Sequence, residues 1–189
     1  MRVCILDIET FWAADHSLSK MNPMVYCMHP KTELISASFK FDDGNTDCIF
    51  GEEKIKSVIA KINWSDTMVV SHNGSGFDAM ILAWRCGLKP KMWGCTLAMA
   101  RPIHAKTTGL SLAKLVAHYG IGVKDNSALM QTKGRHLADF TEDERWAMAE
   151  YNKADVEQCY KLFHLLKPHY TAKELWQIDA TIRMLTEPK

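Results

Sequence analysis

Strand-like segments crowd the first half of this chain and helix-like segments the second, and that asymmetry constrains the fold more than any other feature. The opening run RVCILDI is apolar and of strand length. LISASFKF is a second strand candidate, followed by a DDGN turn and a third strand, DCIF. Residues 52–62 place Ile55, Val58, Ile59 and Ile62 at helical spacing. TMVVSHNG reads as a strand running into a glycine turn, and FDAMILAWRCGL as a helix ended by Gly87, with Pro90 beyond it. WGCTLAMARP suits a short strand or a helix start equally well. GLSLAKLVAHYG predicts a helix with Ser111 as its cap. Thr141 and Glu144 form a capping box for a long helix that Pro168 closes; Thr171 and Glu174 repeat it before a last helix over about residues 171–186. Residues 101–109 and 124–135 read as surface connections. The pattern predicts an α/β domain with a mixed central sheet flanked by helices and a helical C-terminal half. A length of 189 residues suits one domain with a substantial core, residues 1–189.

Composition removes several classes of function. No apolar run approaches the roughly 18 residues of a membrane span, so no membrane partner is expected. The first apolar run meets Asp7 and Glu9 too soon for a signal peptide. Six cysteines are scattered without a CxxC pair, which predicts free thiols in a reducing, cytoplasmic setting. Eight histidines form no HExxH, so any metal is expected to be held by oxygen. The net charge of +1 argues against a long nucleic-acid footprint but leaves room for a small one at a strand end.

Three acidic segments carry the chemistry. Asp7 and Glu9 follow VCIL two residues apart, so on a strand they project from one face. Two ionised carboxylates side by side repel, and a hard divalent cation relieves the repulsion; a solvated surface pair is the alternative. In SHNGSGFD, Gly74 and Gly76 permit a tight turn, and Asp78 falls at a helix start, where the helix dipole alone would favour it. His72 and Asn73 either meet a substrate or hold that turn. In YNKADVEQCYKLF, Tyr151 and Asp155 share a helix face near an apolar stripe.

A D-x-E on the first strand, N-x4-D midway and Y-x3-D on a late helix together resemble the DEDD superfamily of 3′→5′ exonucleases, with the DnaQ-like, RNase H-like fold. The tyrosine marks the DEDDy subgroup. TLAMARPIHAKTTGLSLAKLVAHYGIGVK, KGRHLADFTEDE and LWQIDATIRMLTEP are similar to the proofreading exonuclease domain of bacteriophage family A DNA polymerases. Gly94-Cys95-Thr96 departs from that group, which often has aspartate before the threonine.

The resemblance implies that Asp7, Glu9 and Asp155 hold one divalent cation, Mg²⁺ or Mn²⁺, that Asp7 reaches a second, and that Asp78 orients water around it. Tyr151 would aim the attacking water, since a phenol of ordinary pKa near 10 is a poor base. It also implies a DNA 3′ end gripped by Thr10, Phe11 and Asn73, with Trp12 beside them; Phe11 and Trp12 read equally well as half-buried loop aromatics. Lys106, Lys133 and Arg135 are candidate phosphate contacts. Partners implied are single-stranded DNA 3′ ends and a separate DNA polymerase, within a host cytoplasm. An exoribonuclease and an inactive binding module are the rival readings.

Overall fold

The computed structural model describes residues 1–123 and 132–187. The first strand, β1 (Arg2–Thr10), lies at the centre of a five-stranded sheet. It pairs antiparallel with β2 (Leu34–Phe41), which pairs antiparallel with β3 (Thr46–Phe50) across the DDGN turn. On its other side β1 runs parallel to β4 (Thr67–Ser71), and β4 parallel to β5 (Met92–Cys95), giving the order β3-β2-β1-β4-β5.

Around the sheet lie α1 (Pro23–Met28), α2 (Glu52–Lys61), α3 (Asp78–Cys86), α4 (Thr96–His104), α5 (Leu112–Tyr119), α6 (Glu142–Leu166) and α7 (Ala172–Thr186). Both capping boxes form: the Thr141 and Thr171 hydroxyls accept from the Glu144 and Glu174 N–H groups, and each glutamate returns to the threonine N–H. Gly87 and Gly120 end α3 and α5 in the left-handed conformation, where an L side chain would be strained.

The alternation of β1 sorts its neighbours. Leu6 and Ile8 point into one core with α1, α2, α3 and α7, through Tyr26, Ile55, Ile81 and Ile182. Ile5 points into a second core with α4, α5 and α6, through Met99, Leu115, Val156 and Phe163. Asp7 and Glu9 share the parity of Ile5, so they continue along the face that α6 covers.

Three sequence expectations change. WGCTLAMARP is both things at once: β5 ends at Cys95 and α4 begins at Thr96, with the Cys95 Sγ accepting from the Ala98 N–H as the cap. Residues 101–104 belong to α4, which tolerates Pro102 inside it, so the surface connection begins later. The short helix α1 was not expected; its signal was Asn22, whose side chain caps Met24, followed by Pro23 in the first turn. Most of the 124–135 stretch lies outside the described residues, and its last four form a pinned turn.

Candidate active site

The end of β1 and the middle of α6 meet at a cluster of carboxylates. Oxygens of Asp7, Glu9 and Asp155 all lie within 4.8 Å of one another, and no other such acidic, histidine or cysteine group is found among the described residues. Asp155 is 4% exposed, so its charge sits in poorly solvated surroundings beside two like charges. Such a set is stable when a cation lies between the oxygens, and three hard oxygen donors suit Mg²⁺ or Mn²⁺. The donor set therefore fits the metal expected from the sequence.

Asp78 stands outside that triplet but next to it. It is the first residue of α3 and almost fully buried, and its Oδ1 accepts from the Ile8 N–H at 3.3 Å, which ties the start of α3 to β1. Burial pushes its carboxyl up to about 7; its own N–H, that of Ile8 and the Ser71 hydroxyl oppose the rise, and the charge of Asp155 adds to it.

Tyr151 lies one turn before Asp155 on α6 and hydrogen-bonds to it. Burial, then the charges of Asp155, Glu9 and Asp7, push the phenol far above its ordinary pKa. It remains an O–H donor at any working pH.

Asn152 is a site residue that sequence reading missed. It is fully buried; its amide N–H donates to Asp7 Oδ2, and its carbonyl accepts from the Ser36 hydroxyl on β2 at 3.5 Å. Asparagine is a poor helix former and here occupies the interior of a long helix, which was the one available signal.

The other expected contacts divide. Thr10 is buried, and its hydroxyl bonds the Tyr26 hydroxyl at 2.7 Å, while Tyr26 donates to the Phe11 carbonyl at 2.6 Å. Phe11 is 6% exposed and stacked on His136, centroids 4.1 Å apart and planes 10° apart. That face of the Phe11 ring is covered by His136. Asn73 occupies the turn before α3 with a left-handed φ of 72°, and its carbonyl accepts from the Gly76 N–H. A Cβ at Gly76 would come within 2.8 Å of the Asn73 Oδ1, so glycine is what lets this side chain pack down. His72 bridges the Thr96 hydroxyl and the Leu110 carbonyl, both at 2.9 Å, and so joins the end of β4 to α4 and the approach to α5.

Beside the carboxylates opens a cavity of about 530 Å³. Glu9, Thr10, Trp12, Tyr26, Phe77 and Lys133 line it; Phe11 does not. Trp12 is among the aromatics that line it.

The fold is that of the RNase H-like exonucleases: a mixed five-stranded sheet flanked by helices, with a helical C-terminal region. NrnC of Brucella melitensis superposes with a TM-score of 0.69 at 19% identity, over 97% of this chain and 81% of that one. RNase D of Trypanosoma brucei, in complex with RNA U12, gives 0.69 at 12% identity over 98% and 62%. The family B DNA polymerase of Pyrobaculum calidifontis gives 0.67 at 13% identity, this chain covering 27% of it. No protein-family model matches the sequence, and no curated protein does.

Proposed function

We propose that this chain is a metal-dependent 3′→5′ exonuclease of the tyrosine-bearing type, acting on single-stranded or frayed DNA 3′ ends. The observation that carries the reading is the convergence of Asp7, Glu9 and Asp155 with Tyr151 and Asp78 around the end of β1. Asp7, Glu9 and Asp155 would hold the divalent cations, with Asp78 alongside. When bound, such ions activate water and stabilise charge on the scissile phosphate. Tyr151, kept protonated by burial and the surrounding carboxylates, orients the attacking water through its O–H and leaves proton abstraction to other groups. Asn152 holds Asp7 in one rotamer so that its oxygens face the cluster. The cavity beside Glu9 receives the terminal nucleotide, with Thr10 and Trp12 in its wall, and Asn73 is a further candidate contact from the turn before α3. Hydrolysis of the last phosphodiester releases a nucleoside 5′-monophosphate and leaves a new 3′-hydroxyl.

The segments similar to phage polymerases favour DNA, and a role in proofreading or DNA processing during phage replication beside a separate polymerase. A second reading, an exoribonuclease acting on short RNA, draws support from the neighbours: one NrnC structure is bound to pGG, another to Mg²⁺, and Escherichia coli RNase D is described as an exoribonuclease. The test is incubation of 5′-labelled single-stranded DNA and RNA with Mg²⁺ or Mn²⁺, beside EDTA and Asp7→Ala controls. A ladder shortening from the 3′ end, absent from both controls, is the expected result, and its strength on each polymer decides between the readings. Intact oligonucleotides of both kinds in every lane would overturn the nuclease assignment in favour of a binding module.

A further inference from the structure

The cavity beside Glu9 is fed by an element that sequence reading placed among surface connections. Residues 132–135 form a turn held against the loop after β1. The Trp12 Nε1–H donates to the Thr132 hydroxyl at 2.8 Å, and the Gly134 N–H donates to the Trp12 carbonyl at 2.7 Å. Gly134 has a φ of 73°, a left-handed conformation the turn requires. On the far side Arg135 grips both Glu144 oxygens at 2.7 and 2.8 Å, donates to the Asp139 carbonyl at 2.5 Å and covers the Phe140 ring. Both neighbours of Lys133 are thus held, Thr132 through its hydroxyl and Gly134 through its N–H, and Lys133 itself lines the cavity.

The polar groups of the cavity leave one cation. Thr10 bonds the Tyr26 hydroxyl, which donates to the Phe11 carbonyl, and the Ser17 and Ser19 hydroxyls bond each other at 2.9 Å. Glu9 belongs to the acidic cluster. Lys133 supplies the positive charge, its Nζ 5.7 Å from the centroid of the Trp12 ring, and it makes no ion pair among the described residues. Arg135, the neighbouring candidate, is engaged by Glu144 and serves as the anchor of the turn.

We infer that Lys133 is a substrate-binding residue for the leaving nucleotide, its ammonium pairing with the anionic nucleoside 5′-monophosphate in the cavity between Trp12 and Glu9. The ligand class rests on the exonuclease reading; the contact itself is tested without hydrolysis. A cation on a fastened turn adds charge-assisted hydrogen bonding at little backbone entropy cost. It also explains how a chain of net charge +1 holds an anionic end: one cation is brought to the cavity rather than a basic face spread over the surface.

The experiment is calorimetric titration of thymidine 5′-monophosphate, in Mg²⁺, into the wild type, Lys133→Ala, Lys133→Arg and Lys54→Ala, the last altering an exposed lysine on α2. Lys133→Ala is expected to weaken binding about fivefold to tenfold, and Lys133→Arg to stay within about twofold of wild type. Lys54→Ala is expected to match wild type. Circular dichroism checks that each variant is folded. Equal affinities for Lys133→Ala and Lys54→Ala, or no binding to the wild type at millimolar nucleotide, would overturn the inference even where exonuclease activity is found. Lys133-dependent binding by a protein that hydrolyses neither DNA nor RNA would uphold the contact and sink the nuclease reading instead.

Discussion

The two C-terminal helices begin alike and diverge in what they do with a buried aspartate. Both α6 and α7 open on a threonine–glutamate capping box, and each buries one carboxylate, Asp155 at 4% and Asp179 at 5% exposure. Asp179 is fully matched: the Trp93 N–H donates to it at 2.7 Å and Arg183 at 2.9 Å, while the same guanidinium donates to the Pro90 and Lys91 carbonyls. That carboxylate fastens α7 to the edge of the sheet. Asp155 instead faces two further carboxylates and accepts from Tyr151. Burial alone therefore does not separate a structural acid from a functional one. The sign of its neighbours distinguishes the two surroundings, because like charges side by side favour protonation or a compensating cation, whereas an opposite charge completes a structural pair.

The sharpest way to break this contrast is to neutralise each acid in turn. Asp155→Asn is expected to cut exonuclease turnover by about a thousandfold or more, equivalent to about 4 kcal/mol of lost transition-state stabilisation. Its stability in EDTA should match or exceed wild type, since it relieves repulsion. Asp179→Asn should do the opposite, costing about 2–4 kcal/mol in urea unfolding while activity per folded molecule holds. Mg²⁺ should raise the melting temperature of the wild type and of Asp179→Asn but not that of Asp155→Asn.

Tyr151→Phe removes the O–H and little else. A loss of about a hundredfold in kcat with KM nearly unchanged is expected in steady-state assays, and the pH–rate profile should keep its shape, because a phenol held protonated contributes no titration. Asn152→Ala should be milder, about tenfold to a hundredfold in activity, with a matching rise in the Mn²⁺ concentration needed for half-maximal rate. An Asn152→Ala variant as active as wild type would take the Asn152 amide away from Asp7 without consequence and remove Asn152 from the site.

The smallest effect concerns the turn that carries Lys133. Arg135, the Thr141 N–H and the Thr141 hydroxyl hold the Glu144 carboxyl down to about 2, below its ordinary 4.5. A depressed acid stabilises the folded state above its unfolded pKa and loses that contribution as pH falls toward the folded one. Unfolding followed between about pH 5 and pH 2 should therefore show a modest decline that Glu144→Gln lacks, small because both partners reach solvent.

Much of this was legible in the sequence for a local reason. Alternation along β1 puts Asp7 and Glu9 on one face, a four-residue spacing puts Tyr151 and Asp155 on one side of α6, and the threonine–glutamate boxes mark both late helices. Phe11 reads equally well as a contact for a strand end or as a half-buried loop aromatic; in the fold its ring is covered by His136, which stands 125 positions along the numbering. Arg135 reads as a candidate phosphate contact or a solvated loop cation, and in the fold it pairs with Glu144. No composition or period within either segment records these partners.

By itself the sequence determined which residues carry charge and which way each points relative to its own strand or helix, because periodicity is a property of the local backbone. Only the tertiary structure decided which directions meet. Asn152 reaches Asp7 across 145 residues, Lys133 is delivered to a cavity that Glu9 also lines, and Asp155 rather than Asp179 is placed among like charges. Those pairings depend on how α6 and α7 lie across the sheet, and that is set by the packing of two apolar cores, not by the spacing within either helix.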